Sequence, residues 1–265
     1  MADDSSARGP GGVRVDIDAG VAVLSIDRPE ARNAIGSATV AELDDAITAI
    51  AADDSVAVVV VTGGGDRAFV SGGDLKELAA IRTHDEAVAM AERVRRVLDR
   101  LAELPVPVVA ALNGHALGGG AEVAIAADIR VAADDVKIGF NQVTLGIMPA
   151  WGGAERLASV IGRGKAMLAI ATGQLYDTAA AEKLGLLDVV LPRAEFAAGW
   201  QALAHKLAAT APGATRAIKR VIAASAPASR PELEAGATDA FAHLWVADAH
   251  WDAVDAMTSA KGNKQ

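Results

Sequence analysis

Residues 115–128 read HALGGGAEVAIAAD: three consecutive glycines, 118–120, run straight into an apolar stretch that holds one carboxylate, Glu122. Both features are costly. An ordered glycine gives up more backbone entropy than any other residue, and a carboxylate among apolar side chains loses its hydration. A glycine turn that opens a helix presents amide N–H groups with no intrahelical partner, at the end where the helix dipole adds partial positive charge. Such an end can hold a phosphate, or the oxygen of a carbonyl that is becoming an oxyanion. The familiar phosphate loops bring GK[ST], or GxGxxG with a downstream acid; here Gly118-Gly119-Gly120 is followed by Ala-Glu-Val and no lysine. A second glycine turn, Gly72-Gly73-Asp74, also lies between a strand-like and a helix-like segment. Two turns, around Gly73 and Gly119, can each give one N–H to a single carbonyl oxygen, which is worth several kcal/mol to an enolate-like transition state. Glu122, in the first turn of its helix, can then move protons beside that carbonyl. The structural alternative stays open: Glu122 complements the helix dipole, and the glycines permit tight packing.

The elements that must position these residues follow from periodicity. Val13–Asp18 and Val21–Asp27, joined by Ala19-Gly20, give a hairpin signal. Ser37–Ala52 spaces Val40, Leu43, Ile47 and Ile50 as an amphipathic helix. Val56–Thr62 reads as a buried strand and Ala68–Ser71 as a short one, with a helix starting near Leu75. A long charged helix covers Thr83–Leu104, and Pro105 and Pro107 end it. The cycle repeats with strand Val106–Asn113, a helix running to Asp128, and strands Ile129–Ala133 and Val136–Phe140. Helices are expected over Gly153–Ile161, Gly164–Thr172 and Thr178–Leu184, then a last strand over Leu187–Leu191. Beyond Arg193 strand signals vanish and alanine-rich helical segments fill the chain. The fold class is α/β: a short disordered tail (1–12), a core of repeated strand-strand-helix units (13–192) and a helical C-terminal region (193–265).

Composition sets the outer limits. The chain has 265 residues; 52% are apolar, mostly Ala and Val, and only 3% are aromatic. No run approaches the roughly 18 uncharged apolar residues that a membrane span needs, and MADDSSARGPGG is unlike a secretory signal. The absence of cysteine excludes disulfide and thiolate chemistry, and five histidines without a His-x-x-x-His pair argue against a metal site. A net charge of −9 argues against nucleic acid as a main partner. A globular cytoplasmic protein is expected.

Four stretches in order carry a resemblance: SIDRPEARNAI (25–35), AFVSGGDLKEL (68–78), NGHALGGGAEVAIAADIRVA (113–132) and TLGIMPAWGGAERL (144–157). Together they resemble the enoyl-CoA hydratase/isomerase family, also called crotonases, from about Val13 to Lys261. The resemblance implies a spiral of ββα turns whose C-terminal helices assemble trimers, often paired into hexamers. It implies an acyl thioester of coenzyme A as substrate, with no separate cofactor. The thioester carbonyl would be held by the amides of Gly73 and Gly119, and the nucleotide end would lie near Ala31-Arg32 and Asp74-Leu75. Arg32 stands where an apolar residue is common and Gly73 where alanine is frequent; the latter change leaves the amide in place.

Family hydratases carry a second glutamate in a segment resembling GQPE. Here that segment is Gly139-Phe-Asn-Gln-Val143, so the position falls on Gln142. An amide can orient water but cannot exchange a proton near neutral pH, and losing one general acid/base typically costs roughly 10²–10⁴ in rate. Asp134 and Asp135 read as turn closers, Glu155 as solvated, and His115 as a packed or surface residue. Trp151 replaces a small residue; it either shortens the acyl pocket, stacks on a flat acyl group, or serves the core or a trimer contact. His250 and Trp251 are expected at the trimer contact, Arg93, Arg95, Arg96 and Arg100 on a solvated face, and Lys261 near coenzyme A phosphates of a neighbouring subunit. The leading expectation is hydration of the acyl 2,3-double bond, with Glu122 handling the proton and Gln142 positioning water or substrate. The alternatives are a one-carboxylate isomerase, decarboxylase or thioester hydrolase, and a non-catalytic acyl-CoA-binding protein.

Overall fold

Ala19 and Gly20 both take left-handed backbone, φ 48° and 80°, the conformation whose twist suits a two-residue hairpin. They join β1 (Val13–Asp18) to β2 (Val21–Ile26) in antiparallel register, with Val15 opposite Leu24. In the computed structural model, residues 9–224 and 231–262 are described. Beyond the hairpin the main sheet is parallel, running β1-β2-β3-β5-β7-β10 through β3 (Val58–Gly63), β5 (Val108–Leu112), β7 (Ile129–Ala133) and β10 (Val189–Leu191). Strands covered on both faces need no polar alternation; accordingly Val58, Val59, Val60 and all of β5 are fully buried.

A second sheet of four strands runs β4-β6-β8-β9, built from β4 (Ala68–Val70), β6 (His115–Leu117), β8 (Lys137–Gly139) and β9 (Tyr176–Asp177). Each turn of the chain therefore gives one strand to each sheet, β3 then β4, β5 then β6, β7 then β8. This is the crotonase spiral. β6 and β9 differ from the sequence expectation. They are three and two residues long, too short for an alternating pattern to register, and β6 lies where the glycine turn alone is visible.

The first long helix, α1 (Ser37–Ala52), buries Val40, Leu43, Ile47 and Ile50 as its spacing predicts. After the single-turn α2 (Leu75–Leu78), α3 (His84–Ala102) opens with a capping box: Thr83 Oγ1 accepts from the Glu86 amide, and the Glu86 carboxylate accepts from the Thr83 amide. Its arginine face is only partly solvated. Arg95 is 9% exposed and bridges Glu155 at 2.9 Å and Glu234 at 3.6 Å. Arg100 pairs with Asp44 of α1, while Arg93 and Arg96 are exposed as expected. Glu155 is exposed as expected, its side chain 42% accessible, and one of its oxygens takes part in the ion pair.

Helix α4 (Gly119–Ile125) follows the glycine run, then α5 (Gly153–Ile161), α6 (Arg163–Thr172), α7 (Thr178–Leu184), α8 (Arg193–Ala208), α9 (Pro212–Ala224), α10 (Pro231–Trp245) and α11 (Asp248–Gly262). α10 lies along α3, and α11 packs on a 3₁₀ turn at Gln142–Leu145. His250 of α11 is buried there, with Nδ1 2.6 Å from the Leu145 carbonyl and its ring against Trp245 and Trp251. Burial lowers its pKa. Among the described residues no helix is long and apolar enough to cross a membrane.

Candidate active site

Each glycine of the 118–120 run answers a different steric demand. Gly118 holds φ 56°, ψ −117°, a region that side chains avoid. A Cβ at Gly119 would lie 2.2 Å from Cζ3 of Trp151, and one at Gly120 would lie 1.8 Å from the Val70 carbonyl oxygen. The second glycine turn abuts the first, because a Cβ on Gly72 would be 3.3 Å from the Gly119 nitrogen. Ile35 pins this turn on both sides of Gly73: its amide donates to Gly72 O at 2.8 Å and its carbonyl accepts from Asp74 N at 2.9 Å. Among the described residues the amides of Gly73 and Gly119 themselves donate to no protein acceptor. Two adjacent turns therefore each hold out an unused donor.

Glu122, one turn into α4, is 2% exposed. Its Oε2 accepts from the amides of Trp151 (2.7 Å) and Gly153 (2.9 Å), and its Oε1 accepts from Nε2 of Gln142 at 2.9 Å. Gly152, left-handed at φ 86°, turns the chain so that both flanking amides face the carboxylate. Gly153 allows the approach, since a Cβ there would be 2.5 Å from Glu122 Cγ. Burial pushes the Glu122 carboxyl up from 4.5 to about 7, against the opposing pull of the three donors and the Arg156 charge. A carboxyl poised near neutrality can both take and give a proton. Arg156 also donates to the Trp151 carbonyl at 2.8 Å and pairs with Asp99, which fixes the turn that cradles Glu122.

Gln142 sits at the second acid position and is 8% exposed. Its Nε2 is used on Glu122, while its buried Oε1 has no partner. Such an acceptor calls for a donor from outside the protein. The Trp151 indole lies against the Gly119 turn, with Cη2 3.7 Å from a Cβ placed on Gly73. It is 6% exposed and belongs to the buried core while also lining the cavity, so the core and pocket positions coincide.

Gly73, Gly119, Glu122, Gln142 and Trp151 line one cavity of about 690 Å³, and the remaining sequence candidates, Ala31, Arg32, Asp74 and Leu75, line it too. Arg32 and Leu75 are exposed and mark its open end. Asp74 is held there by Arg28 at 3.1 Å, an ion pair that the sequence reading did not anticipate. Arg32 and Asn33 are both left-handed, φ 54° and 56°, and the buried Asn33 amide stabilises that bend by donating to the carbonyls of Gly64 (2.9 Å) and Ala68 (2.7 Å).

The far wall was missed. Phe241 and Trp245 of α10, Met257 of α11, and Ile147 and Met148 after the 3₁₀ turn also line the cavity. The one available signal was an aromatic pair at i, i+4 in an alanine-rich helix; its rings are 5.5 Å apart. Other candidates lie elsewhere. Asp134 and Asp135 close a turn onto Arg193. His115 is exposed, with Nδ1 accepting from the Lys137 amide at 3.1 Å. The side chain of Lys261 lies outside the described residues.

A model of the family described as enoyl-CoA hydratase/isomerase matches residues 16–252. The chain belongs to the enoyl-CoA hydratase/isomerase family. The short-chain-enoyl-CoA hydratase of Clostridium acetobutylicum is 36% identical over 239 residues, 90% of each chain. The enoyl-CoA hydratase of Bacillus anthracis matches in structure with TM-score 0.79 at 30% identity, over 94% of this chain and 96% of that one. The carnitinyl-CoA hydratase of Mycobacterium avium gives TM-score 0.82 at 28% identity, over 95% and 97%. In this member of the enoyl-CoA hydratase/isomerase family, two unused amides, one carboxyl near neutrality and one half-used amide side chain share a cavity.

Proposed function

We propose that this enzyme adds water across the 2,3-double bond of an acyl-CoA thioester. The observation that carries the reading is Glu122, poised near pH 7 in the cavity into which the Gly73 and Gly119 amides open. In the proposed step, a water donates one hydrogen to Gln142 Oε1 and the other to Glu122. The water oxygen bonds to C3 as its proton passes to Glu122, and the displaced π electrons move onto the thioester oxygen. The two amides stabilise that oxyanion. Return of the electrons to C2, with the proton delivered from Glu122 to C2, restores the thioester as a 3-hydroxyacyl product. Ala31, Arg32, Asp74 and Leu75 are assigned to the coenzyme A end, and Trp151 to the acyl end, where its ring limits acyl bulk. No cofactor beyond the coenzyme A of the substrate is required.

Hydration of crotonyl-CoA, followed by loss of its enoyl-thioester absorbance, tests the assignment. Wild-type turnover no faster than that of Glu122→Ala would overturn it for that substrate. The amide at Gln142 favours one further reading, a shift of the double bond with Glu122 as sole base. Product mass separates the two, because hydration adds water and isomerisation leaves mass unchanged. Tight acyl-CoA binding without turnover would instead mark a binding protein.

The helical region from residue 193 is assigned to assembly of trimers or paired trimers, and the protein to the cytoplasm. Apolar Met167 and Leu168 on α6 and Val221 on α9 are well over half exposed, which supports an assembly; light scattering of the purified chain reads its size.

A further inference from the structure

We propose a divalent-cation site at His84, Asp239 and His243, on the outer seam between α3 and α10. Among the described residues this is the one place where histidine and carboxylate ligand atoms cluster, all within 4.8 Å of one another. His84 is the first residue of α3, set by the Thr83 capping box, and Asp239 and His243 stand one turn apart on α10. His84 Nε2 lies 3.1 Å from Asp239 Oδ1 and 3.2 Å from His243 Nδ1, and that nitrogen lies 3.5 Å from Asp239 Oδ2 and 2.9 Å from the Asp239 carbonyl.

Hydrogens on the two facing nitrogens each find an acceptor, His84 Nε2–H in Asp239 Oδ1 and His243 Nδ1–H in the Asp239 carbonyl. The two nitrogens and the carboxylate nevertheless stand 3.1, 3.2 and 3.5 Å apart, close to the ligand spacing that bonds of about 2.0–2.1 Å give around a tetrahedral ion. A cation between the two nitrogens and the carboxylate satisfies all three ligands at once. Two imidazoles and one carboxylate suit Zn²⁺, and also Ni²⁺ or Co²⁺, with partly exposed side chains leaving a position for water. The outer nitrogen of His84 lies 3.4 Å from Asp85 Oδ1, the carboxylate-behind-histidine arrangement that orients metal-bound imidazoles. A cation here clamps α10 to α3. Phe241 and Trp245 of the same helix wall the acyl cavity, and Trp245 Nε1 donates to Ile81 O at 3.1 Å, just before α3.

The test uses the whole chain stripped of metal and titrated with Zn²⁺ by calorimetry, with thermal melting in parallel. The expected result is one Zn²⁺ per chain at micromolar Kd or tighter, weakened roughly tenfold or more in His84→Ala and in His243→Ala. Zn²⁺ at about 100 times the wild-type Kd is expected to raise the wild-type Tm by roughly 5–10 °C, and that of both variants by about half as much or less. His115→Ala and His205→Ala, both at exposed histidines, are the controls and keep the wild-type affinity. Absence of stoichiometric Zn²⁺ binding, or equal affinity in the His84 and His243 variants, overturns the proposal. The readouts are binding and melting, so they stand whatever reaction the cavity performs.

Discussion

The two walls of the cavity are built by opposite means. One wall is backbone: the Gly73 and Gly119 amides, the proposed oxyanion donors, brought together by two abutting glycine turns. The facing wall is side chain: Glu122, Gln142 and Trp151, closed off by Phe241 and Trp245 from the C-terminal helices. The first leaves a mark in the sequence because Gly72 and Gly118 hold positive φ and a Cβ at Gly119 or Gly120 would clash. The second can take single substitutions without disturbing the fold that presents it, as with Gln142 where the resemblance implies a glutamate. Scaffold and reaction are thereby separated within one pocket.

The largest effects are expected on the side-chain wall. Glu122→Gln keeps an acceptor for the amides of Trp151 and Gly153, and a flipped Gln142 can accept from the new amide. Its kcat for crotonyl-CoA hydration is expected to fall by about 10²–10⁴, read in a steady-state assay. The same change stabilises the fold. Because burial raises the folded-state pKa of Glu122 to about 7 from an ordinary 4.5, the stability of the protonated form is fully present below the ordinary value and is lost as pH rises through 7. Above that pH, Glu122→Gln is expected to gain on the order of 3 kcal/mol over wild type in urea unfolding. Lower activity with higher stability in one variant would set this wall apart from the other.

The backbone wall should respond differently, with stability and activity failing together. Gly120→Ala drives a methyl into the Val70 carbonyl, and a loss of about 3 kcal/mol by denaturant unfolding is expected. A well-folded, fully active Gly120→Ala protein would erase the contrast between the walls.

Smaller effects sharpen the role of Gln142. Gln142→Glu places a second carboxyl against Oε1 of Glu122, where like charges cannot both ionise cheaply. The lower limb of the pH–rate profile is expected to move upward. A rise in hydratase activity by orders of magnitude would instead favour a native reaction other than hydration. Smallest is Trp151→Ala, which opens the cavity beside Gly73 and Gly119. KM for acyl chains longer than crotonyl is expected to fall by roughly tenfold, the scale of one or two methylenes gaining room, with little change for crotonyl-CoA itself.

Legibility in the sequence divides along the same line. Ala19-Gly20 made the first hairpin readable, and the apolar spacing of α1 and the ends of α5 and α7 were set by local pattern. β6 and β9 were invisible because two or three residues hold no period. Arg95 looked solvated because its ion-pair partners, Glu155 and Glu234, lie far away in sequence. The glycine turns and Glu122 announced themselves by their local cost. That Trp151 serves both the core and the pocket could not be read, since its placement depends on the left-handed turn at Gly152. Phe241 and Trp245 reach the cavity from more than 100 residues beyond Glu122. The histidine seam escaped for a similar reason, because Asp239 and His243 share a helix but the third ligand, His84, lies on another.

Wild-type kcat/KM for crotonyl-CoA between pH 5.5 and 8.5 tests the role of Glu122 most directly. With the carboxylate form required to accept the water proton, the rate should climb through about pH 7 and level off above it, a limb absent from the residual activity of Glu122→Gln. A flat profile across that range, or the same limb retained in Glu122→Gln, would contradict a proton-transferring Glu122 beside the two glycine amides.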